Sequence, residues 1–152
     1  MPTCPECSAP FPEGGSCQDN FHALLALEWQ VEGGSSRLGH YYAVSTYALQ
    51  HPVSMNFTEE TLSGMRENLA EVLEGSAMLS EILRRTRAST NGATRVRRRP
   101  HDKTPCTPQI QWTHNVTLLL TEEPTALTFE QKCAVWAEAV LKDLNSAEHL
   151  VK

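Results

Sequence analysis

The sequence predicts a mainly α-helical domain built on an antiparallel pair of helices near the N-terminus. Two segments repeat one spacing of four, three and four residues, which places four side chains of each on one helix face. The first set is Cys17, Phe21, Leu24 and Glu28, and the second is His40, Val44, Tyr47 and His51. The connection at 32–36 contains Gly33 and Gly34 and suits two antiparallel neighbours.

Antiparallel packing of these two helices predicts a single register. The facing pairs are Cys17–His51, Phe21–Tyr47, Leu24–Val44 and Glu28–His40, and the two residue numbers of every pair add up to 68. Pro52 cannot continue the second helix, which therefore ends at His51. We expect the first helix to begin after Ser16, with Asp19 completing a capping box, and to run to about residue 31.

Three cysteines lie close to the predicted end of this helix pair. The loop 1–16 is rich in proline and glycine, and its Cys4 and Cys7 form a knuckle typical of half a structural zinc site. Cys17 falls on the first helical turn, where the helix N-terminus favours a thiolate. Clustered cysteines in a reducing compartment indicate metal ligation rather than disulfides. The sequence therefore predicts a metal-binding loop at 1–16 and a small zinc-stapled helical domain.

The fourth zinc ligand is open to alternatives. His51 is favoured because the predicted register brings it beside Cys17. His22 is the local alternative, five residues after Cys17, and Asp19 is weaker because capping already explains it. If water took the fourth position, the same zinc site would be catalytic rather than structural.

The remaining elements follow from capping signals and apolar spacing. Thr58 and Gly75 bound a third helix, and residues 78–83 form a short fourth one. Thr128 and Gln131 make a capping box for a last helix, which we expect to fray after Asn145. Its buried stripe is Phe129, Cys133, Trp136, Val140 and Leu144.

One segment alternates in the manner of a strand. Apolar side chains occupy even positions at Ile110, Trp112, Val116, Leu118 and Leu120. This alternation predicts a minor β element within residues 95–120, with the segment 95–99 as its partner strand.

Length and composition indicate a single globular domain over residues 1–152. Hydrophobic residues make up 40% of the chain and charged residues 20%, which fits a globular class better than a disordered one. No apolar run approaches the ~20 residues that cross a bilayer, and no signal peptide is visible. We therefore expect a cytoplasmic protein without membrane contact. Cys133 is expected in the core, and nothing local gives Cys106 a role.

The charge is distributed unevenly along the chain. Residues 84–103 hold eight basic residues and one acidic one, a net charge of +7, so the rest of the chain has −12 for a total of −5. We expect 84–109 to be a basic connecting segment. Its arginines could contact phosphates, but no aromatic residues are interleaved with them. Nucleic-acid binding through residues 84–103 is thus considered but not favoured.

The Glu28–His40 pair has two interpretations. Functionally it is an acid–base pair or part of a second metal site. The structural interpretation, an ion pair or hydrogen bond that joins the two helices, is favoured because such pairs are common structural devices.

The first third of the chain resembles a family of uncharacterised bacterial proteins of unknown function. The resemblance rests on Cys4-Pro-X-Cys7, on Cys17 to Glu28 in the pattern C…F..LL..E, and on His40 to Pro52 in the pattern H…V..Y.LQHP. Ser8 departs from it, because members often have glycine after the second cysteine. The resemblance implies no activity.

Three classes of function follow in order of preference. The first is a binding or regulatory module with a structural zinc and a protein or small-molecule partner that the sequence does not name. The second is a metalloenzyme with an open zinc site or a Glu28–His40 acid–base pair, and the third is a nucleic-acid binder. Whether the protein is an enzyme is left undecided.

Overall fold

The computed structural model describes residues 1–28, 37–90, 110–121 and 128–151. Within these ranges the chain is mainly helical, as predicted, and an isolated antiparallel bridge joins Thr3 to Pro10. The helices are α1 (Cys17–Glu28), α2 (Arg37–Gln50), α3 (Pro52–Met55), α4 (Glu59–Glu74), α5 (Leu79–Thr90), α6 (Val116–Thr121) and α7 (Phe129–Val151). None of the described helices has the length and apolar character required to span a membrane.

Capping residues mark the start of α1 and both ends of α4 at the positions that the sequence predicts. The Ser16 amide donates to Asp19 Oδ2 at 2.8 Å, and the Asp19 amide donates to Ser16 Oγ at 3.2 Å, which confirms the capping box of α1. Thr58 Oγ1 accepts the Thr61 amide at the start of α4, and Gly75 ends that helix with a φ of 78°.

Helix α2 lies at the centre of the fold and packs most extensively against α7. Gly39 allows the two helices to approach closely, since a Cβ there would lie 2.9 Å from Phe129 Cδ1 and 3.1 Å from Glu130 Cα. At the other end of α2, the Trp136 indole donates to buried Gln50 Oε1 at 3.2 Å. The predicted stripe of α7 forms much of the core, with Cys133, Trp136 and Val140 fully buried.

The β element predicted within residues 95–120 is wrong for its described part. Residues 116–121 form α6 instead of a strand, while 95–109 lie outside the described residues. Asn115 starts the helix, because its Oδ1 accepts the amides of Thr117 and Leu118 at 3.0 and 3.3 Å. Val116 and Leu119 are buried at a helical spacing of three, whereas Leu118 is exposed.

The first residues of the predicted basic connecting segment are helical rather than a connection. Residues 84–90 continue α5 instead of leaving the fourth helix near residue 83. Arg85 supports the helix there, because it pairs with Glu81 one turn earlier and with Glu71 of α4, both at 2.8 Å. The expected fraying after Asn145 is also wrong for the backbone, since α7 continues to Val151. Residues 91–109 lie outside the described ranges.

Candidate metal centre

The antiparallel pair of α1 and α2 has the register that the sequence predicts. Three of the four predicted pairs are in contact, two by hydrogen bonds and one by stacked rings. The distances are 3.3 Å from Cys17 Sγ to His51 Nε2, 4.1 Å between the ring centroids of Phe21 and Tyr47, and 3.0 Å from Glu28 Oε2 to His40 Nδ1. Leu24 belongs to the buried core cluster, and partly buried Val44 packs against that cluster.

A tight turn in the N-terminal loop presents the other two cysteines. The Ser8 amide donates to the Cys4 carbonyl and the Cys4 amide to the Ala9 carbonyl, both at 2.8 Å. Ser8 has a φ of 65°, in the left-handed region that favours glycine. The turn thus brings Cys4 and Cys7 together, and both side chains are buried although most of the loop around them is not.

Four side chains meet where this turn contacts the helix pair. The sulfur atoms of Cys4, Cys7 and Cys17 and a ring nitrogen of His51 all lie within 4.8 Å of one another. The Cys7 and Cys17 sulfurs are 3.5 Å apart. No member is more than 7% exposed. The group could hold a metal ion, and among the described residues no other set of three or more His, Cys, Asp or Glu side chains is arranged to do so.

The spacing of these atoms fits four-coordinate geometry. Around a tetrahedral zinc, bond lengths of about 2.3 Å to sulfur and about 2.0–2.1 Å to nitrogen place sulfurs about 3.8 Å apart and sulfur about 3.6 Å from nitrogen. The Cys7–Cys17 distance of 3.5 Å and the Cys17–His51 distance of 3.3 Å are each shorter by only a few tenths of an ångström. Small side-chain shifts would therefore admit an ion at the centre.

The environment of His51 determines which ring nitrogen faces the cysteines. Its Nδ1 lies 2.7 Å from the Tyr47 carbonyl oxygen, which can only accept, so Nδ1 is the donor. Nε2 is then directed at Cys17. The ring also stacks on Tyr47 at 3.9 Å, and Tyr47 stacks on Phe21. A histidine held by a backbone carbonyl and by packing is the usual preparation for metal ligation.

Hydrogen bonding within the cluster shifts the pKa values of Cys4, Cys17 and His51. Contacts with Cys17 and Cys7 lower the pKa of the Cys4 thiol, whereas contacts with Cys4 and Cys7 raise the pKa of the Cys17 thiol. Burial lowers the pKa of His51, but its hydrogen bonds to Cys4 and Cys7 raise it overall to about 10. Metal binding would require deprotonated thiols and a neutral imidazole, so it would release the protons that these groups hold in the metal-free protein.

Glu6 lies between the two knuckle cysteines and makes hydrogen bonds that the sequence did not predict. Its Oε1 accepts the Val53 amide at 2.8 Å, and its Oε2 accepts the Ser54 amide at 3.2 Å and the Ser54 hydroxyl. Its carbonyl oxygen accepts the Trp112 indole at 2.8 Å. The sequence contains only part of the signal: Pro52 marks a helix start, but the carboxylate that accepts the Val53 amide comes from Glu6, 47 positions earlier than Val53.

The other candidate ligands lie outside the cluster. His22 is exposed on α1, and the carboxylate of Asp19 caps that helix. Cys133 is fully buried on α7, as expected of a core residue, and burial raises its pKa to about 12. Cys106 lies outside the described residues.

The Glu28–His40 contact joins the two helices at the end opposite to the cysteines. Glu28 is buried, whereas the His40 side chain is 52% exposed. In the described part of the chain no third side chain completes a metal-binding group with them. The arrangement fits the structural interpretation, a polar link between α1 and α2.

Comparison with known proteins identifies the family but adds no function. The chain matches no curated protein and no solved structure. The model of one family, described as a family of unknown function (DUF5946), matches residues 2–145. That match includes the N-terminal turn, the helix pair and most of α7. The chain therefore belongs to the DUF5946 family of unknown function.

Proposed function

We propose that this protein is a zinc-binding helical module, with Cys4, Cys7, Cys17 and His51 as the zinc ligands and the zinc in a structural role. The observation that carries the proposal is the meeting of four buried ligand atoms within 4.8 Å of one another. They come from a loop, the first turn of α1 and the residue after α2; the helix register brings the last two together, but the loop has little apolar surface that would hold its two cysteines beside them.

The donor set favours zinc over other ions. Three thiolates and one imidazole form the Cys3His set of structural zinc sites. Magnesium and calcium prefer oxygen ligands, and no carboxylate is in the cluster. Soft thiolates also bind Cu(I) and iron–sulfur clusters. Neutral imidazole and a compact four-atom site are more typical of a single zinc ion.

Four protein ligands support a structural rather than a catalytic zinc. A tetrahedral site with four protein ligands has no open position for water or substrate. The zinc would instead fasten the loop 1–16, which contributes little apolar surface of its own, to α1 and α2. In the reducing cytoplasm the thiols would remain available for this role. The resulting module would serve binding or regulation through its helical surface.

No observation favours the alternative functions over this one. A metalloenzyme would need an open zinc position or a substrate site at Glu28 and His40, whose geometry fits a helix–helix link. Of the basic residues proposed for nucleic-acid binding, Arg85 is paired with two carboxylates. The segment 91–103 lies outside the described residues.

Metal analysis of the purified full chain tests the proposal. Protein purified without added metal should contain one zinc per chain, and Cys7→Ser should contain much less. Because metal binding is coupled to folding, chelation and Cys7→Ser should each lower the melting temperature. Cys133→Ser is the matched control, because that buried cysteine lies outside the cluster, and it should keep its zinc. Wild-type protein without zinc that melts no lower than zinc-loaded protein would contradict the proposal.

A further inference from the structure

We infer that Glu6 is a positioning residue of the metal centre, whose carboxylate holds the cysteine turn against the histidine side of the site and sets how tightly metal is retained. The inference rests on the proposed metal-binding function. It concerns a residue that contributes no ligand atom to the four-residue group.

The two ends of the Glu6 contact lie next to the ligands. Glu6 directly precedes Cys7, and the amides that it binds belong to the second and third residues after His51. The carboxylate thus joins the backbone beside two of the ligands, Cys7 of the N-terminal turn and His51 at the end of α2. A shift of the turn relative to α3 would separate Cys7 from His51.

The carboxylate is also well suited to this position. Both of its oxygens accept hydrogen bonds, from the amides of Val53 and Ser54 in the single turn of α3, and amides at a helix start have no acceptor within the helix. His51, the residue before α3, makes no side-chain capping bond to that helix, because its ring is turned toward the cysteines. Glu6 therefore caps α3 in place of His51 and leaves the imidazole available for metal.

A second contact holds the same turn from the other side. The Glu6 carbonyl oxygen accepts the indole of half-buried Trp112. The next residue, Thr113, is held by α7, because Asp143 Oδ2 accepts its amide and its hydroxyl at 2.8 and 3.0 Å. A change of the Glu6 side chain leaves the carbonyl in place, so its effect reports on the carboxylate alone.

Metal affinity and release of the full-length chain test the inference. Zinc transfer to a chromophoric chelator gives both quantities for wild type, Glu6→Ala and Glu6→Gln. Outer-shell partners of metal ligands typically contribute 10- to 100-fold in affinity, so Glu6→Ala should bind zinc about 10- to 100-fold more weakly and release it faster. Glu6→Gln keeps one acceptor oxygen without the charge and should show a smaller loss.

Two controls separate positioning from general stability. Glu13→Ala removes an exposed carboxylate of the same loop and should keep wild-type affinity. Thr58→Ala removes the cap of α4, a helix that contributes no ligand atom, and should lower the melting temperature without changing affinity. Cobalt-loaded Glu6→Ala should keep the thiolate charge-transfer absorption of wild type, because the ligands are unchanged.

Unchanged affinity and release in both Glu6 variants would overturn the inference, and Glu6→Gln decides the question if Glu6→Ala fails to fold. A changed set of cobalt ligands in Glu6→Ala would also overturn it, since Glu6 would then be a ligand. Wild-type protein that binds no metal would instead refute the proposed function, so the two failures are distinguishable.

Discussion

Replacement of His51 by alanine tests the helix register and the ligand set together. His51 is 1% exposed, and its ring bridges the Tyr47 carbonyl and Cys17. The substitution removes one of four ligand atoms. Because loss of an outer-shell partner already costs 10- to 100-fold, loss of a ligand should weaken metal binding by more than about 100-fold, or about 2.8 kcal/mol.

The metal-free protein should also lose stability in this variant. The Tyr47 carbonyl loses its imidazole donor, which costs about 1–3 kcal/mol when the group stays buried. Removal of the imidazole also leaves a cavity beside the Tyr47 ring, and the lost packing contacts lower the free energy of unfolding further. Chemical denaturation in the presence of a chelator measures this part separately from metal binding.

Absorption of the cobalt-substituted protein is the assay, with His22→Ala as the matched control. His22 is exposed on α1, so its removal should leave the tetrahedral thiolate–cobalt spectrum and the affinity unchanged. His51→Ala should lose intensity and require far more cobalt for saturation. Retention of the wild-type spectrum and affinity in His51→Ala would refute the assignment of His51 as a ligand, and loss of both in His22→Ala would favour the local alternative.

Further predictions concern the packing of α2 and the cysteine turn. Gly39→Ala should destabilise the protein by about 1–3 kcal/mol, because its Cβ would meet the Phe129 ring at 2.9 Å. Gly64→Ala, with open space around its Cβ, should instead stabilise α4 by about 0.5–1 kcal/mol, and urea unfolding of both variants checks the contrast. Ser8→Val should destabilise the turn and weaken metal retention, because a β-branched residue is strained at a φ of 65°, whereas Ser8→Gly should not. Equal chelator-transfer rates for the two Ser8 variants would contradict this view of the turn.

The helix pair was predictable because the residues that determine it lie close together in sequence and several of them indicate the same register. The spacing of Cys17 and Glu28 determines one face, that of His40 and His51 another, and Pro52 determines where the second helix ends. An antiparallel pair with these faces inward has one register that satisfies all positions at once. Contacts confirm it at both ends of the pair.

Helix α6 was missed because short apolar runs satisfy two periodicities. Leucines at 118, 119 and 120 fill both faces of a strand and of a helix, so alternation cannot distinguish them. The deciding signal was Asn115, a good N-cap directly before the run, whose side chain accepts two helix amides. Capping chemistry was therefore more informative there than hydrophobic periodicity.

Glu6 and Trp112 were not predictable because their contacts join segments distant in sequence. A glutamate between two cysteines has no local feature that marks it as the acceptor of a helix amide 47 residues later. The length of α5 was underestimated for a related reason. Arg85 looks like part of a basic connection until Glu71 of α4, 14 residues away, is seen to pair with it.

X-ray absorption at the zinc edge of the full chain, purified without added metal, tests the central claim most directly. We predict one zinc with three sulfur ligands at about 2.3 Å and one imidazole nitrogen at about 2.0–2.1 Å. Fewer than three sulfurs, an additional oxygen ligand, or no zinc in the protein would contradict it.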